Sequence, residues 1–186
     1  MYQTSDIRKN LKVKMDGAPW VVVEFQFVKP GKGSAFTRTK FKNMITGQVV
    51  EKNIRSGETL EEVDIESRKA QMLYPDADGF VFMDAETFEQ FNVSRETLGE
   101  RAGFLTEGMT CDVLFYEGRV ISADLPNFVE LEITYTEPAV KGDTATNTTK
   151  TAKLSTGAEI QVPLFVSTGE VIKIDTRTSE YAGRVK

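Results

Sequence analysis

Trp20, Val21, Val22, Val23, Phe25, Phe27 and Val28 form a β-branched and aromatic run that stops at Lys29-Pro30-Gly31-Lys32-Gly33-Ser34. Ala35-Phe36 then opens a second β-prone run whose charges are all basic: Arg38, Lys40 and Lys42. Two such runs around a Pro-Gly pair read as a hairpin. Pro30 presets its own φ, and Gly31 is expected to supply the positive φ of a type II turn. Gly33 gives a second permissive position. Lys32 is thereby set at the apex of a narrow tip, between two glycines. A phosphate-binding P-loop does not fit: Gln26 stands where its first glycine belongs, and Gly33 follows the lysine instead of Ser or Thr.

The rest of the chain carries the same β signature. Leu11–Met15 and Trp20–Val28 flank the turn residues Asp16-Gly17-Ala18-Pro19, with Val21, Val23, Phe25 and Phe27 expected on one face of the second strand. Ala35–Asn43 and Gln48–Ile54 follow, so the first unit is expected to be a small SH3-like barrel over residues 1–64. A second unit over 65–127 contains Ala70–Tyr74, Phe80–Met83, Thr87–Val93, Met109–Tyr116 and Arg119–Asp124 as strands. It also holds a short helix capped by Ser94, a combination that fits an OB-type barrel. Pro126 and Asn127 mark the next joint. In the third unit, over 128–186, Phe128–Thr136 alternates cleanly, with Val129, Leu131, Ile133 and Tyr135 on one face. A polar loop is expected from Pro138 to Thr151, exposed and mobile over Gly142–Thr149 because its composition buries little apolar surface. Glu159–Val162, Leu164–Val166 and Val171–Asp175 complete the strands, with Pro163 at a strand edge or bulge.

Composition narrows the chemistry. The chain has no His and one Cys, so intrachain disulfides and His-based triads are excluded, and zinc sites effectively so. Cys111, inside the apolar run Met109–Tyr116, reads as a buried structural thiol. No catalytic residues, metal or free cofactor are expected. The first ten residues are polar and no apolar run approaches membrane-spanning length, so a cytoplasmic protein with no membrane partner is expected. The net charge of −5 is unevenly spread. Residues 1–64 hold 11 Lys/Arg against 8 Asp/Glu, whereas residues 65–128 hold 5 against 12. No acid interrupts Lys29 to Lys42. A basic tip on an acidic body suits local contact with RNA while the body avoids indiscriminate binding. The competing reading is a basic strand that merely pairs with acidic neighbours.

Three motifs in order give the chain a family resemblance over essentially its whole length. They are the Lys29–Gly33 tip with Ala35-Phe36 behind it, Gly142-Asp143-Thr144-Ala145 in the third-unit loop, and the series Lys150, Ala152, Gly157, Ile160, Val162-Pro163, Val166 and Gly169. Ile174-Asp175-Thr176-Arg177 and Glu180-Tyr181 close the pattern. In these the chain resembles bacterial elongation factor P. The resemblance implies an all-β protein of three small barrels, SH3/KOW-like and then two OB-type, in an L-shaped, tRNA-like arrangement. It implies a monomer that binds the 70S ribosome between the P and E sites and relieves stalling at consecutive prolines. Lys32 would contact the CCA end of P-site peptidyl-tRNA, with Lys29, Pro30, Gly31, Gly33 and Ser34 building the turn. Arg38, Lys40 and Lys42 would be RNA contacts, and Gly142, Asp143, Thr144 and Ala145 would lie near the E-site mRNA codon. In this family the tip residue often carries a covalent adduct, on Lys commonly a β-lysyl or aminopentanol group, so a Lys32-modifying enzyme is a further implied partner. The chain departs from many members at Thr146-Asn147-Thr148-Thr149, where they have more glycine, and at Ser179, where they have Gly. The rival readings are a paralogue of that factor and a standalone single-strand nucleic-acid binder. The latter would need stacking aromatics beside basic residues, and Phe80, Phe82, Phe88 and Phe91 are expected to be core residues instead.

Overall fold

The computed structural model describes residues 1–139 and 148–185, and its regular structure is almost entirely strand. Strands β1 (Tyr2–Gln3), β2 (Lys12–Met15), β3 (Ala18–Val28), β4 (Phe36–Asn43), β5 (Val49–Arg55) and β6 (Thr59–Glu62) form one sheet in the order β1-β6-β2-β3-β4-β5. Strands β7 (Ile65–Pro75), β8 (Gly79–Asp84), β9 (Gln90–Ser94), β10 (Thr110–Tyr116) and β11 (Arg119–Asp124) form a second, in the order β11-β10-β7-β8-β9. Strands β12 (Phe128–Thr136), β13 (Thr149–Leu154), β14 (Glu159–Pro163), β15 (Val171–Asp175) and β16 (Glu180–Arg184) form a third, in the order β14-β13-β12-β15-β16. By contact density the chain divides into two compact units. One is Met1–Ser67 with Leu114–Ser122, and the other is Arg68–Val113 with Ala123–Lys186.

The first unit closes around Ile7, Leu11, Val13, Trp20, Val22, Phe41, Ile54 and Leu60. The Trp20 indole N–H donates to the Met15 carbonyl at 3.1 Å, which satisfies the one polar atom of the largest core side chain. The tip of the β10–β11 hairpin belongs to this unit. The Tyr116 hydroxyl donates to the Gly17 carbonyl at 3.2 Å, and Lys14 lies 3.7 Å from Glu117.

In the second unit, Ser94 caps the short helix Arg95–Leu98, its hydroxyl accepting from the Thr97 N–H at 3.1 Å. The cap expected from the sequence is therefore present. Phe80 and Phe82 are buried as expected, but Phe88 is not: it stands 67% exposed with φ +61. Asp84 explains that turn. Its Oδ1 accepts from the Glu86 and Thr87 N–H groups, and Phe88 N–H donates to the Asp84 carbonyl. The two amide bonds hold the Asp84 carboxyl below its ordinary pKa, with Arg68 adding a smaller attraction. The loop thus fixes its own backbone and leaves the aromatic ring outside.

Of the register shifts in the described ladders, two overturn the inward faces expected from alternation. The β3–β4 register shifts between Val22 and Glu24, and the β12–β13 register shifts between Ile133 and Tyr135. An extra residue on one strand reverses the side-chain alternation beyond it. The expected face of Val21, Val23, Phe25 and Phe27 is therefore replaced by Trp20, Val22, Phe25 and Phe27, which lie opposite Asn43, Phe41, Thr39 and Thr37. In β12, Val129, Leu131 and Ile133 are buried as expected, but Tyr135 is turned out and Thr136 turned in, its hydroxyl donating to the Thr151 carbonyl at 2.9 Å.

The third-unit loop is shorter than expected, because Thr149–Leu154 pairs with both β12 and β14. Thr148 and Thr149 are exposed, and the rest of the segment expected to be mobile lies outside the described residues. Leu164–Val166 is a turn and not a strand, with Val166 N–H donating to the Pro163 carbonyl. Pro163 itself ends β14, an edge strand, where its missing N–H costs no ladder bond. Strands β1, β6, β13 and β16 have no counterpart in the sequence-based expectation.

Gly79 pairs with Ser94 so closely that an added Cβ would collide with the Val93 carbonyl oxygen and lie 3.0 Å from the Ser94 Cα. Gly79→Ala must push β8 and β9 apart. It is expected to destabilise the protein by roughly 1–3 kcal/mol, the usual range for overpacking, read as a lower urea midpoint at unchanged slope.

Candidate nucleic-acid interface

The site begins with the β3–β4 ladder. Its last register pair before the turn is Val28 with Phe36, so residues 29–35 form the loop at the hairpin end. The base of that loop is tied to β5 by the Ser56 N–H, which donates to the Ala35 carbonyl at 3.1 Å. Lys29, Gly31, Lys32, Gly33 and Ser34 are exposed, and Pro30 is half-buried. The expected apical placement of Lys32 is what the backbone shows. The turn chemistry differs in one respect. Gly33, at φ +108, is the residue in glycine's own region, and Gly31 has no positive φ. A Cβ on Gly31 would meet open space, whereas one on Gly33 would meet the Pro30 Cγ at 3.9 Å and a backbone that L residues avoid.

Arg38, Lys40 and Lys42 alternate along one face of β4, opposite Gln26, Glu24 and Val21 of β3. Two of these cations are engaged. Lys40 Nζ donates to Glu24 Oε2 at 2.8 Å, and Arg38 Nε lies 3.7 Å from Glu51 Oε1. The hydrogen bond first and the paired charge second lower the Glu24 pKa and raise that of Lys40. Both pairs are exposed and contribute little to stability. They do decide the local field: among the described residues Lys29, Lys32 and Lys42 are the cations of this hairpin with no acidic partner. Residues Gly142, Asp143, Thr144 and Ala145 lie outside the described residues.

Sequence reasoning missed two side chains here. Phe25 and Phe27 are 44% and 62% exposed, although they share a face with Trp20 and Val22. They belong neither to the buried cluster nor to its partly buried rim of Tyr2, Met15, Ala18 and Val50. Their alternation with Glu24 and Gln26 was visible; the bulge that sets their face and the open edge of β3 beyond its pairing with β2 were not.

Among the described residues no group of His, Cys, Asp and Glu could hold a metal ion, and no helix is long and apolar enough to cross a membrane. Cys111 is buried, and burial first, with the neighbouring Asp112 and Asp124 carboxylates second, pushes its thiol up to about 11.

Models of known families match in three successive stretches. The elongation factor P KOW-like domain matches residues 3–60, the elongation factor P OB domain residues 65–123, and the elongation factor P C-terminal domain residues 129–184. The chain is 53% identical to elongation factor P of Synechococcus elongatus over 184 residues, covering 99% of this chain and 100% of that one. It is 50% identical to elongation factor P of Symbiobacterium thermophilum with the same coverage. Among solved structures, a eukaryotic translation initiation factor 5A from Methanococcus jannaschii superposes with a TM-score of 0.54 at 22% identity, over 65% of this chain and 91% of that one, which shows a shared fold. A KOW-like domain that carries the basic hairpin tip, an OB domain and a C-terminal domain follow one another in the order of a translation factor family. The chain belongs to the elongation factor P family and is a translation elongation factor.

Two measurements check this geometry. Gly33→Ala is expected to cost about 1 kcal/mol, from backbone strain, while Gly31→Ala stays within about 0.5 kcal/mol of the parent; thermal melts of the two variants give the comparison. A thiol with a pKa of about 11 is ionised in only about one molecule per thousand at pH 8. Alkylation of Cys111 by iodoacetamide at that pH is therefore expected to be at least a hundredfold slower in the native protein than in urea.

Proposed function

We propose that this factor binds the 70S ribosome between the P and E sites and stimulates peptide-bond formation at consecutive prolines by ordering the CCA end of P-site peptidyl-tRNA. The observation that carries the reading is Lys32: exposed, at the end of a hairpin anchored by an eleven-residue strand, and with no acidic partner among the described residues. Proline is a secondary amine in a rigid ring, so its attack geometry is easily spoiled. Holding two reactants in a near-attack arrangement can lower a barrier by roughly 7–11 kcal/mol in favourable cases. A tip that fixes the tRNA end does that without chemistry of its own, so the protein acts as a positioning factor and not as an enzyme. The neutral, buried Cys111 is consistent with this role.

Lysine suits the task as a compact charge on a flexible stem that can reach phosphates and sugars. Its amine is also the atom to which a modifying enzyme would attach an extending group. Lys29 and Lys42 supply further RNA contacts, with Arg38 and Lys40 joining once Glu51 and Glu24 release them. Residues 142–145 of the third-unit loop would read the E-site mRNA codon. Three domains, 1–64, 65–127 and 128–186, carry these tasks in a cytoplasmic monomer.

The test is synthesis of a Pro-Pro-Pro peptide in a reconstituted translation system. Lys32→Ala is expected to leave the melting temperature within about 1 °C of the parent, because an exposed turn side chain holds little packing energy, and to abolish the stimulation. Lys32→Arg keeps the charge but offers no lysine amine, so a defect in this variant assigns the effect to the adduct and full activity assigns it to the charge. Full stimulation by Lys32→Ala would contradict the proposal.

A further inference from the structure

Phe25 and Phe27 are the exposed aromatics nearest the tip, and the bulge at Val23 is what places them. Without it they would share the face of Arg38 and Lys40 instead of that of the core. With it they lie on the core face opposite Thr39 and Thr37, both buried, and stand exposed because β2 pairs with β3 only as far as Val21 and leaves that edge of the sheet open. Lys52 lies on the same face, opposite Thr39, with Asp16 at 3.8 Å. The loop that follows carries Lys29 and Lys32, and no acid occurs from Lys29 to Lys42. Exposed rings followed by a cationic loop match an unpaired nucleic-acid strand, whose bases have π-faces and whose backbone is anionic.

We infer that Phe25 and Phe27 form a stacking platform for an unpaired base of the RNA end that Lys32 addresses. The inference rests on the proposed role at the tRNA end and adds the residues that would hold a base there. Lys32 then sets the charge contact, and the two rings set the orientation of the base.

The experiment uses the full chain, ribosomes carrying a P-site tRNA whose terminal adenine is replaced by 2-aminopurine, and the Pro-Pro-Pro assay. The parent is expected to quench the probe. Phe25→Leu/Phe27→Leu keeps the apolar cover but removes the π-faces. It is expected to lose the quench and to need about tenfold more protein for half-maximal stimulation. Phe25→Tyr/Phe27→Trp is expected to restore both. If the Leu variant quenches and stimulates like the parent while Lys32→Ala does not, the platform is refuted and the role of Lys32 stands. If Lys32→Ala also behaves like the parent, both readings fall. If the Leu variant loses stimulation only because intact mass shows Lys32 unmodified, the rings dock a modifying protein and the RNA platform is refuted.

Discussion

The pairing of β3 with β4 is the constraint on which the first unit depends. It spans Trp20 to Val28 against Asn43 to Phe36 and does two jobs at once. At the Trp20 and Val22 end it supplies the centre of the core, with Phe41 opposite. At the Val28 end it projects beyond that core and holds a seven-membered loop, residues 29–35, at its tip. The bulge at Val23 divides the two regions. Bulges raise local twist and redirect side chains, and here the result is an arm whose exposed end is built from the same ladder as the core. A hairpin without the core would be marginal in water, so the precision of the tip derives from residues well away from it.

Charge is arranged with similar economy. The hairpin is basic in sequence, but Glu24 and Glu51 neutralise the middle of β4 through Lys40 and Arg38. What stays unpaired among the described residues is Lys29 and Lys32 at the end and Lys42 near the base. An arm whose middle is neutralised and whose tip is cationic directs much of its attraction to the end. The acidic stretch over 65–128 weakens any general attraction to RNA. Local contact at one point, and not coating of a polyanion, is the behaviour such a distribution favours.

Much of this was legible in the residues. The Pro-Gly turn, the all-β pattern, the Ser94 cap, the edge position of Pro163 and the buried thiol each follow from local chemistry that one segment carries by itself. The failures share a cause. A bulge has no residue signature in this chain, so the faces of Phe25, Phe27 and Tyr135 could not be read from alternation alone. Thr149–Leu154 is a strand because β12 and β14 pair with it on both sides, while its own Thr and Lys content reads as loop. Leu164–Val166 is apolar yet bends, because Val166 is needed in the core and Pro163 has ended the ladder. Gly31 looked like the positive-φ residue from its place after Pro30, but the loop closes through Gly33. Phe88 is displayed by the Asp84 turn, a tertiary arrangement that composition does not encode.

The central claim is that the Lys32 tip meets the 3′ end of peptidyl-tRNA. The most direct measurement is a cryo-electron microscopy map of this chain on a 70S ribosome stalled at consecutive prolines. The account predicts density for residues 29–35 directed into the peptidyl-transferase centre, with the Lys32 side chain against the CCA end. A factor bound with that hairpin facing solvent, or seated at another ribosomal site, would contradict it.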